Sequence, residues 1–401
     1  MYVKYKESIS SARSTTGGEE NIENSKMAAA AAAAATNSKK FFNEEELELP
    51  LAMPKGKKLF SYDMGGSLFK LAYSVNADKN DKVKIKMITF TNENMEDALS
   101  FIDKEIVGKT DHKDIIAIGS GVGSRTYKKK IAERLKIKDI KLTDEFICFG
   151  KGFHYMLKNM DESQYVHPYT DIPVPSRADM GMGNLQITHV TEDEEKKMRE
   201  KKDLFPALLG CCGSGMTFIL AQEDGTIDMV GGSAMAGLSF HSIGKLLTGA
   251  KSYDELMDLA KKGDSTVCTT TMDDFSVEEY ADLDMKAYKE KAAFVFEVFP
   301  FGNVIRKGIE NPKKEDVASS LLHLVGDSIA HSTMNLTSPH KLNKVYLAGS
   351  FFKNNDTLKA YLARLPLVTV MVGWPIHPRY LKFEGYIGVL GAVIDHLQSS
   401  K

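Results

Sequence analysis

Three times along the chain an apolar run with strand texture stops in a glycine turn: "KLFSYDMGGSLFKLAYSV" from Lys58, "ALLGCCGSGMTF" from Ala207 and "KVYLAGSFF" from Lys344. Strand interiors disfavour Asp and Gly, because Asp competes with the ladder through its side chain and Gly loses the most backbone freedom on ordering. One such turn is an ordinary hairpin. Three, spread over a long chain, point to strand ends that serve something besides packing. They predict two sheets with helices between them, and a nucleotide held between two lobes.

The stretches between the turns support that layout. "KVKIKMITFTN" and "DIIAIGSGVGSRTY" read as strands, with the helical "NMEDALSFIDKEI" between them, and Glu223, Asp224 and Gly225 punctuate a hairpin after Pro206. In "KEDVASSLLHLVGDSIAHSTMNL" the apolar residues Val317, Leu321, Leu324, Val325 and Ile329 follow helical spacing, with Asp316 near the start. That helix is expected to pack on a core or on a second subunit. Residues 1–56, with the alanine run Ala28 to Ala35, offer too little apolar variety to bury and predict a disordered leader, within which Met27 is a candidate alternative start. Residues 172–202 are polar and then densely charged, and read as a connection between lobes. The expected organisation is a leader over 1–56, an N-terminal lobe over 57–205 that carries this connection, and a C-terminal lobe over 206–401 whose last helix packs back near the cleft.

A length of 401 residues, 43% of them hydrophobic, is enough for two lobes with real cores. The net charge of -2 leaves no electrostatic footprint for nucleic acid or an anionic membrane surface. Cys148, Cys211, Cys212 and Cys268 show no paired metal spacing, and the adjacent pair is poorly placed for a structural disulfide, which fits a reducing compartment, the cytosol or the nucleus. No apolar run approaches the roughly 20 residues that span a bilayer. His154, His167, His241, His323 and His331 form no close pair at ligand spacing and read as packing or surface residues, as Trp374 reads as core.

The chemistry rests on the turns. At the first, the glycines Gly65 and Gly66 let backbone N–H groups approach phosphate oxygens, while Ser67 and Lys70 add a donor and a charge. Asp63, at the end of the first strand, can orient a hydrated Mg²⁺, a hard cation that keeps waters. The second turn presents Gly213, Ser214, Gly215 and Thr217; the third presents Gly349 and Ser350 before a helical segment. Together they form a candidate ATP site.

The order "DMGGSLFKLAY", "FPALLGCCGSGMTF", "KLLTGAKSYDELMDLAKKGDST", "KVYLAGSFF" and "FEGYIGVLGAVI" resembles the eukaryotic, type II pantothenate kinase family from about Lys58 to the C-terminus. The resemblance implies an α/β, two-lobed fold of the actin-like ATPase, acetate and sugar kinase type with duplicated mixed sheets. It further implies transfer of the ATP γ-phosphate to the primary hydroxyl of pantothenate, the first step toward coenzyme A, and a homodimer through the Val317 to Ile329 helix. Such transfer needs a carboxylate to accept the hydroxyl proton and cations to neutralise phosphate charge.

Several positions depart from the family pattern. The register set by Tyr127 and Ile131 in "GSGVGSRTYKKKIAERL" puts Lys128 where the family's glutamate base is expected, followed by Lys129 and Lys130. A protonated lysine cannot accept a proton from an alcohol, and the run suggests a solvated face. Met229, in "DMVGGSAMAGLSF", stands at the arginine that clamps the pantothenate carboxylate, and a thioether offers neither charge nor paired donors. Ser214 and Thr217 match the two family serines that contact substrate. Ala236, Gly237 and Leu238 replace a triple glycine, and Leu238 is expected to crowd backbone approach. Glu133 and Glu384 are weaker carboxylate candidates. "MDDFSVEEYADLD" and "FEVFPFG" replace segments of the family's coenzyme A feedback site. These departures predict weak or lost catalysis, with two alternatives: a non-catalytic protein that binds ATP or a coenzyme A-like ligand and regulates or pairs with an active pantothenate kinase, or a kinase with a different acceptor.

Overall fold

The computed structural model describes residues 42–65, 68–77, 82–91, 94–108, 110–167, 203–275, 297–353, 355–372 and 376–399. Gly66, Ser67, Trp374, the connection 172–202 and most of the leader lie outside the described residues. The chain divides into two compact units: one ends at Tyr155 and resumes at Gly385, and the other spans Met156–Glu384.

In the first unit β1 (Phe42–Leu49), β2 (Lys58–Met64), β3 (Leu68–Ala77), β4 (Val83–Thr91), β5 (Ile115–Ser120) and β6 (Lys141–Leu142) form one sheet in the order β1-β4-β3-β2-β5-β6. β2, β3 and β4 make an antiparallel meander, and β5 and β6 run parallel to β2. A central strand is covered on both faces, so β2 is buried almost throughout, Ser61 and Asp63 included; β4 begins by alternating, with Val83, Ile85 and Met87 buried and Lys84 exposed. The helices α1 (Met95–Phe101, continued as a π turn over Ile102–Val107), α2 (Gly121–Leu135) and α3 (Glu145–Asn159) follow. Phe60, Tyr62, Phe69, Ile88 and Phe90 from the sheet close a core with Leu99, Ile102 and Ile131 from the helices. The C-terminal helix Ile387–Ser399 packs on β2, β3 and β5, where the Ser61 hydroxyl donates to the Val389 carbonyl at 2.7 Å.

β1 lies inside the stretch expected to be leader. Its glutamates alternate with leucines, and Glu44, Glu46 and Glu48 pair with Lys86, Lys84 and Lys82 of the neighbouring strand or its lead-in at 3.2, 2.6 and 2.8 Å, while Leu49 is fully buried. A bulk reading of polarity misses this period-two complement.

The second unit contains β7 (Ala207–Cys212), β8 (Met216–Ala221), β9 (Ile227–Ser233), α4 (Gly237–Thr248), α5 (Tyr253–Lys262), the short pair β10 (Thr270–Thr271) and β11 (Glu297–Phe299), α6 (Lys314–Thr337), β12 (Lys344–Ala348), α7 (Asn355–Val372) and β13 (His377–Tyr380). Its main sheet has the order β13-β12-β7-β8-β9. The two sheets therefore share one plan. Each contains an antiparallel meander, β2-β3-β4 or β7-β8-β9, with two parallel strands added beside its first strand, and the first sheet adds β1 antiparallel to β4 at its far edge. This is the α/β fold with duplicated mixed sheets that the resemblance implies.

α6 is the predicted amphipathic helix, and its partner is the chain's own core. Leu321, Val325 and Ile329 are buried, and the helix packs against α4, α5 and α7. At Gly326 the approach is so close that an added Cβ would lie 2.9 Å from the Ala360 carbonyl carbon and oxygen. The apolar face expected to meet a core or a second subunit is thus consumed within the unit.

Candidate functional site

In the first unit the candidate residues collect where parallel strands end. Asp63, on β2, is register partner to Lys70 on β3 and to Ser120 on β5. The residue is only 4% exposed, with the Lys70 ammonium 3.9 Å away and the Ser120 hydroxyl donating to Oδ1 at 3.5 Å. Burial pushes the Asp63 carboxyl up, and Lys70 and Ser120 act against that. Gly121 opens α2 at φ +81°, and a Cβ there would sit 2.6 Å from Asp63 Oδ1. Only glycine lets the backbone come this close to the carboxylate at that φ.

A second acid joins the group. β6 lies beside β5, Thr143 donates its N–H to the Gly119 carbonyl at 3.0 Å, and α3 then begins at Glu145. The Glu145 carboxyl is pushed up to about 7, first by burial and then by the charge of Asp63; Lys70 acts against the shift and Asp144 adds to it. Glu145, Asp63 and Lys70 are within electrostatic reach of one another. Sequence reading does not single out Glu145, because β6 is only two residues long and "LTDEF" carries no strand signal. The signal was there: in each lobe strand ends after the meander carry site residues, and Glu145 follows the last parallel strand of its sheet.

Lys128 belongs to a different surface. On α2 its ammonium lies 2.8 Å from Asp139, whose carboxyl is held low chiefly by that hydrogen bond. Lys129 pairs with Glu133 at 3.9 Å and Lys130 with Glu96 at 3.2 Å. This is the solvated face the lysine run suggested, and it accounts for Glu133 as well.

In the second unit the turns are stitched together by backbone. Gly213 N–H donates to the Gly215 carbonyl at 2.9 Å, and the start of α4 returns two bonds of 3.0 Å, from Gly237 to the Gly213 carbonyl and from Leu238 to the Ser214 carbonyl. Gly349 sits at φ +105°, and a Cβ there would come within 2.2 Å of the Cys212 carbonyl oxygen. Phe351 N–H donates to that same carbonyl at 3.0 Å. The result is one glycine-lined patch in which Ser214, Gly215 and Ser350 are exposed. Leu238 is 59% exposed, so it does not crowd the turn; the close approach is made at Gly237, which remains glycine. Thr217 is half-buried on β8, and Met229, on the edge strand β9, is 65% exposed.

Other candidates fall outside these groups. Glu384 is buried, the four cysteines are free thiols, and most of "MDDFSVEEYADLD" lies outside the described residues. From "FEVFPFG", Glu297 is fully buried, with its carboxylate 2.8 Å from His323 Nδ1 and 3.5 Å from Arg364. Among the described residues no group of three or more His, Cys, Asp or Glu side chains could hold a metal, and no helix is long and apolar enough to cross a membrane.

Comparison with known proteins adds the family. A mouse 4'-phosphopantetheine phosphatase is 25% identical over 84% of this chain, which spans 40% of that protein's length. A pantothenate kinase of Schizosaccharomyces pombe is 24% identical over 89% of this chain and 87% of its own length, and pantothenate kinase 1 of Arabidopsis thaliana is 25% identical over 84% and 85%. Among solved structures, glucokinase from Balamuthia mandrillaris with glucose aligns over 93% of this chain and 98% of that one at 12% identity, with a TM-score of 0.44. The family model described as Fumble matches residues 59–395, and the chain belongs to this family of pantothenate kinases.

Proposed function

We propose that the chain transfers the γ-phosphate of ATP to a primary alcohol, with pantothenate the first acceptor to test, and that Glu145 accepts the alcohol's proton. The observation that carries this reading is the Glu145 carboxyl, raised to about 7 beside Asp63 and Lys70. A carboxylate so poised is ionised in a large fraction of molecules at neutral pH yet still basic enough to take a proton as the alcohol attacks. The departure at Lys128 then does not remove the base.

Asp63 fits the role of holding a hydrated Mg²⁺. It is one buried carboxylate at the end of a central strand, and an ion that keeps most of its waters needs no cluster of protein ligands. When bound, that ion would neutralise charge on the phosphates. Lys70 adds a positive charge in the first unit. In the second, the exposed Ser214 and Ser350 and the backbone of Gly215 offer donors to phosphate or ribose.

Met229 favours a second reading, because its exposed thioether beside the exposed Asp228 gives a carboxylate no cation to meet. Under it, the protein acts on an alcohol lacking a carboxylate, or binds ATP or a coenzyme A-like ligand without turnover and pairs with itself or an active relative. The deciding experiment follows labelled γ-phosphate from Mg-ATP into pantothenate, with Glu145→Gln, Met229→Arg and a parallel ATP-binding measurement. Turnover lost in Glu145→Gln with ATP binding intact supports the first reading. ATP binding without transfer to pantothenate or any neutral analogue replaces it with the non-catalytic one.

A further inference from the structure

At the end of α4 the residues "KLLTG" leave an apolar tip in solvent. Phe240, Gly244 and Thr248 form the helix's buried stripe, and Gly244 lies so close to α5 that an added Cβ would run into Leu256. Leu246 and Leu247, in the last turn, are instead 84% and 55% exposed. Four lysines lie beside them. Lys245 precedes them on α4 and Lys251 follows the Gly249 cap. Lys314 reaches over from the start of α6, its ammonium 3.7 Å from where a Gly249 Cβ would stand, and Lys313 is the residue before it. All four are exposed, and among the described residues none has an acid as ion-pair partner. Of the acids that open α5, Glu255 accepts from the Lys251 backbone N–H at 2.8 Å. Elsewhere surface lysines are matched, as Lys84 is with Glu46, Lys128 with Asp139 and Lys130 with Glu96. The net charge of -2 averages over the chain and does not register this local excess.

We propose that this face, Leu246 and Leu247 among unpaired lysines, docks the protein on an anionic lipid surface. Two leucines standing out at a helix end suit the headgroup boundary of a bilayer, whereas the apolar helix of a partner protein needs a groove to lie in. The lysines supply attraction to acidic headgroups, and salt screens it. No membrane-crossing helix is required, and the proposal is independent of the phosphoryl-transfer chemistry. The glycine-lined patch meets the opposite end of α4, about 18 Å away along a helix of 12 residues, so docking here leaves that patch open.

The test is co-sedimentation of the full-length protein with vesicles of phosphatidylcholine, alone or with about 30% phosphatidylserine, at low and high salt. We expect binding to the phosphatidylserine vesicles alone, weakened by salt. Binding should fall by about 10-fold or more in the double variant Leu246→Ser, Leu247→Ser and in the double variant Lys313→Glu, Lys314→Glu. The double variant Lys129→Glu, Lys130→Glu, which reverses matched lysines on α2, should bind as wild type. Thermal melting confirms that each variant is folded. No binding by the wild type, or binding that neither α4-face variant weakens, overturns the proposal, and an equal loss in the α2 control assigns binding to net charge instead of this face. Lysine-dependent binding to poly-glutamate without binding to vesicles replaces the lipid with an acidic protein. A leucine-dependent dimer in sedimentation velocity, again without vesicle binding, replaces it with a second copy of the chain.

Discussion

Ionisation of Glu145 links activity and stability to pH in opposite senses. As a base it works only when deprotonated, so kcat/KM should rise with pH through about 7, and Glu145→Gln should lose about 100-fold or more and flatten that limb. The stability sign is the reverse. An exposed glutamate in the unfolded chain ionises near about 4.3, whereas in the folded chain burial and Asp63 hold Glu145 near 7. Its neutral form suits the folded state, so the stability it allows is fully present below about pH 4 and is lost as pH rises to about 7. Glu145→Gln should therefore melt above wild type at about pH 8, with the difference vanishing near pH 4.5; equal melting at both would show that Glu145 is not held so high. Met229→Arg tests the other side of the reaction: KM for pantothenate should fall by about 10-fold or more, the worth of one charge-assisted pair, with KM for ATP unmoved. At this scale the sequence announced Asp63, Lys70 and the glycines, because acids and glycines at strand ends violate local preference. It did not announce Glu145, since an acid at a helix start obeys local preference and only the pairing of β6 with β5 reveals its neighbours.

Elements were legible where period and length agreed. The meanders, the helix now seen as α6 and the hairpin at Gly225 all follow from alternation, from 3.6-residue spacing or from turn residues. β1 did not, because its apolar residues are few and its stability lies in register with β4. Its two kinds of contact should separate on mutation. Leu49→Ala removes a fully buried side chain and should cost about 2–5 kcal/mol, whereas Glu46→Ala breaks an exposed pair with Lys84 and should cost less than about 1 kcal/mol. Chemical denaturation of both variants checks the order, and a larger loss from Glu46 would mean that the ladder of charges, not the leucine, anchors the strand. The partner of α6 was open from sequence for a related reason: an apolar stripe states that a face is covered, not by what. Gly326 settles it, since its contact with Ala360 on α7 leaves no room for anything else there.

The duplicated plan of the two sheets has an asymmetric consequence for the whole chain. The second unit is continuous from Met156 to Glu384, but the first is completed by residues after Gly385. The C-terminal helix buries Ile387, Val389, Leu390, Val393, Ile394 and Leu397 against the first unit's sheet. Each of these large apolar side chains contributes about 1.5–3 kcal/mol of burial, so the helix supplies a substantial part of the first unit's core. The Ser61–Val389 bond and the Thr89–Tyr386 hydroxyl pair, at 2.7 and 2.8 Å, are lost as well if the helix is removed. Ending the chain after Glu384 should thus unfold the first unit while the core of the second, built from β7, β8, β12, α4, α6 and α7, survives. Amide hydrogen exchange on the truncated chain reads the two separately, with protection expected to collapse over β2 and β5 and to persist over β7 and β12. Because Asp63, Lys70 and Glu145 all sit in the unit that collapses, the same truncation should abolish phosphoryl transfer even with the glycine-lined patch of the second unit intact. Loss of protection over β7 and β12 to the same degree would show instead that the chain folds as one cooperative body.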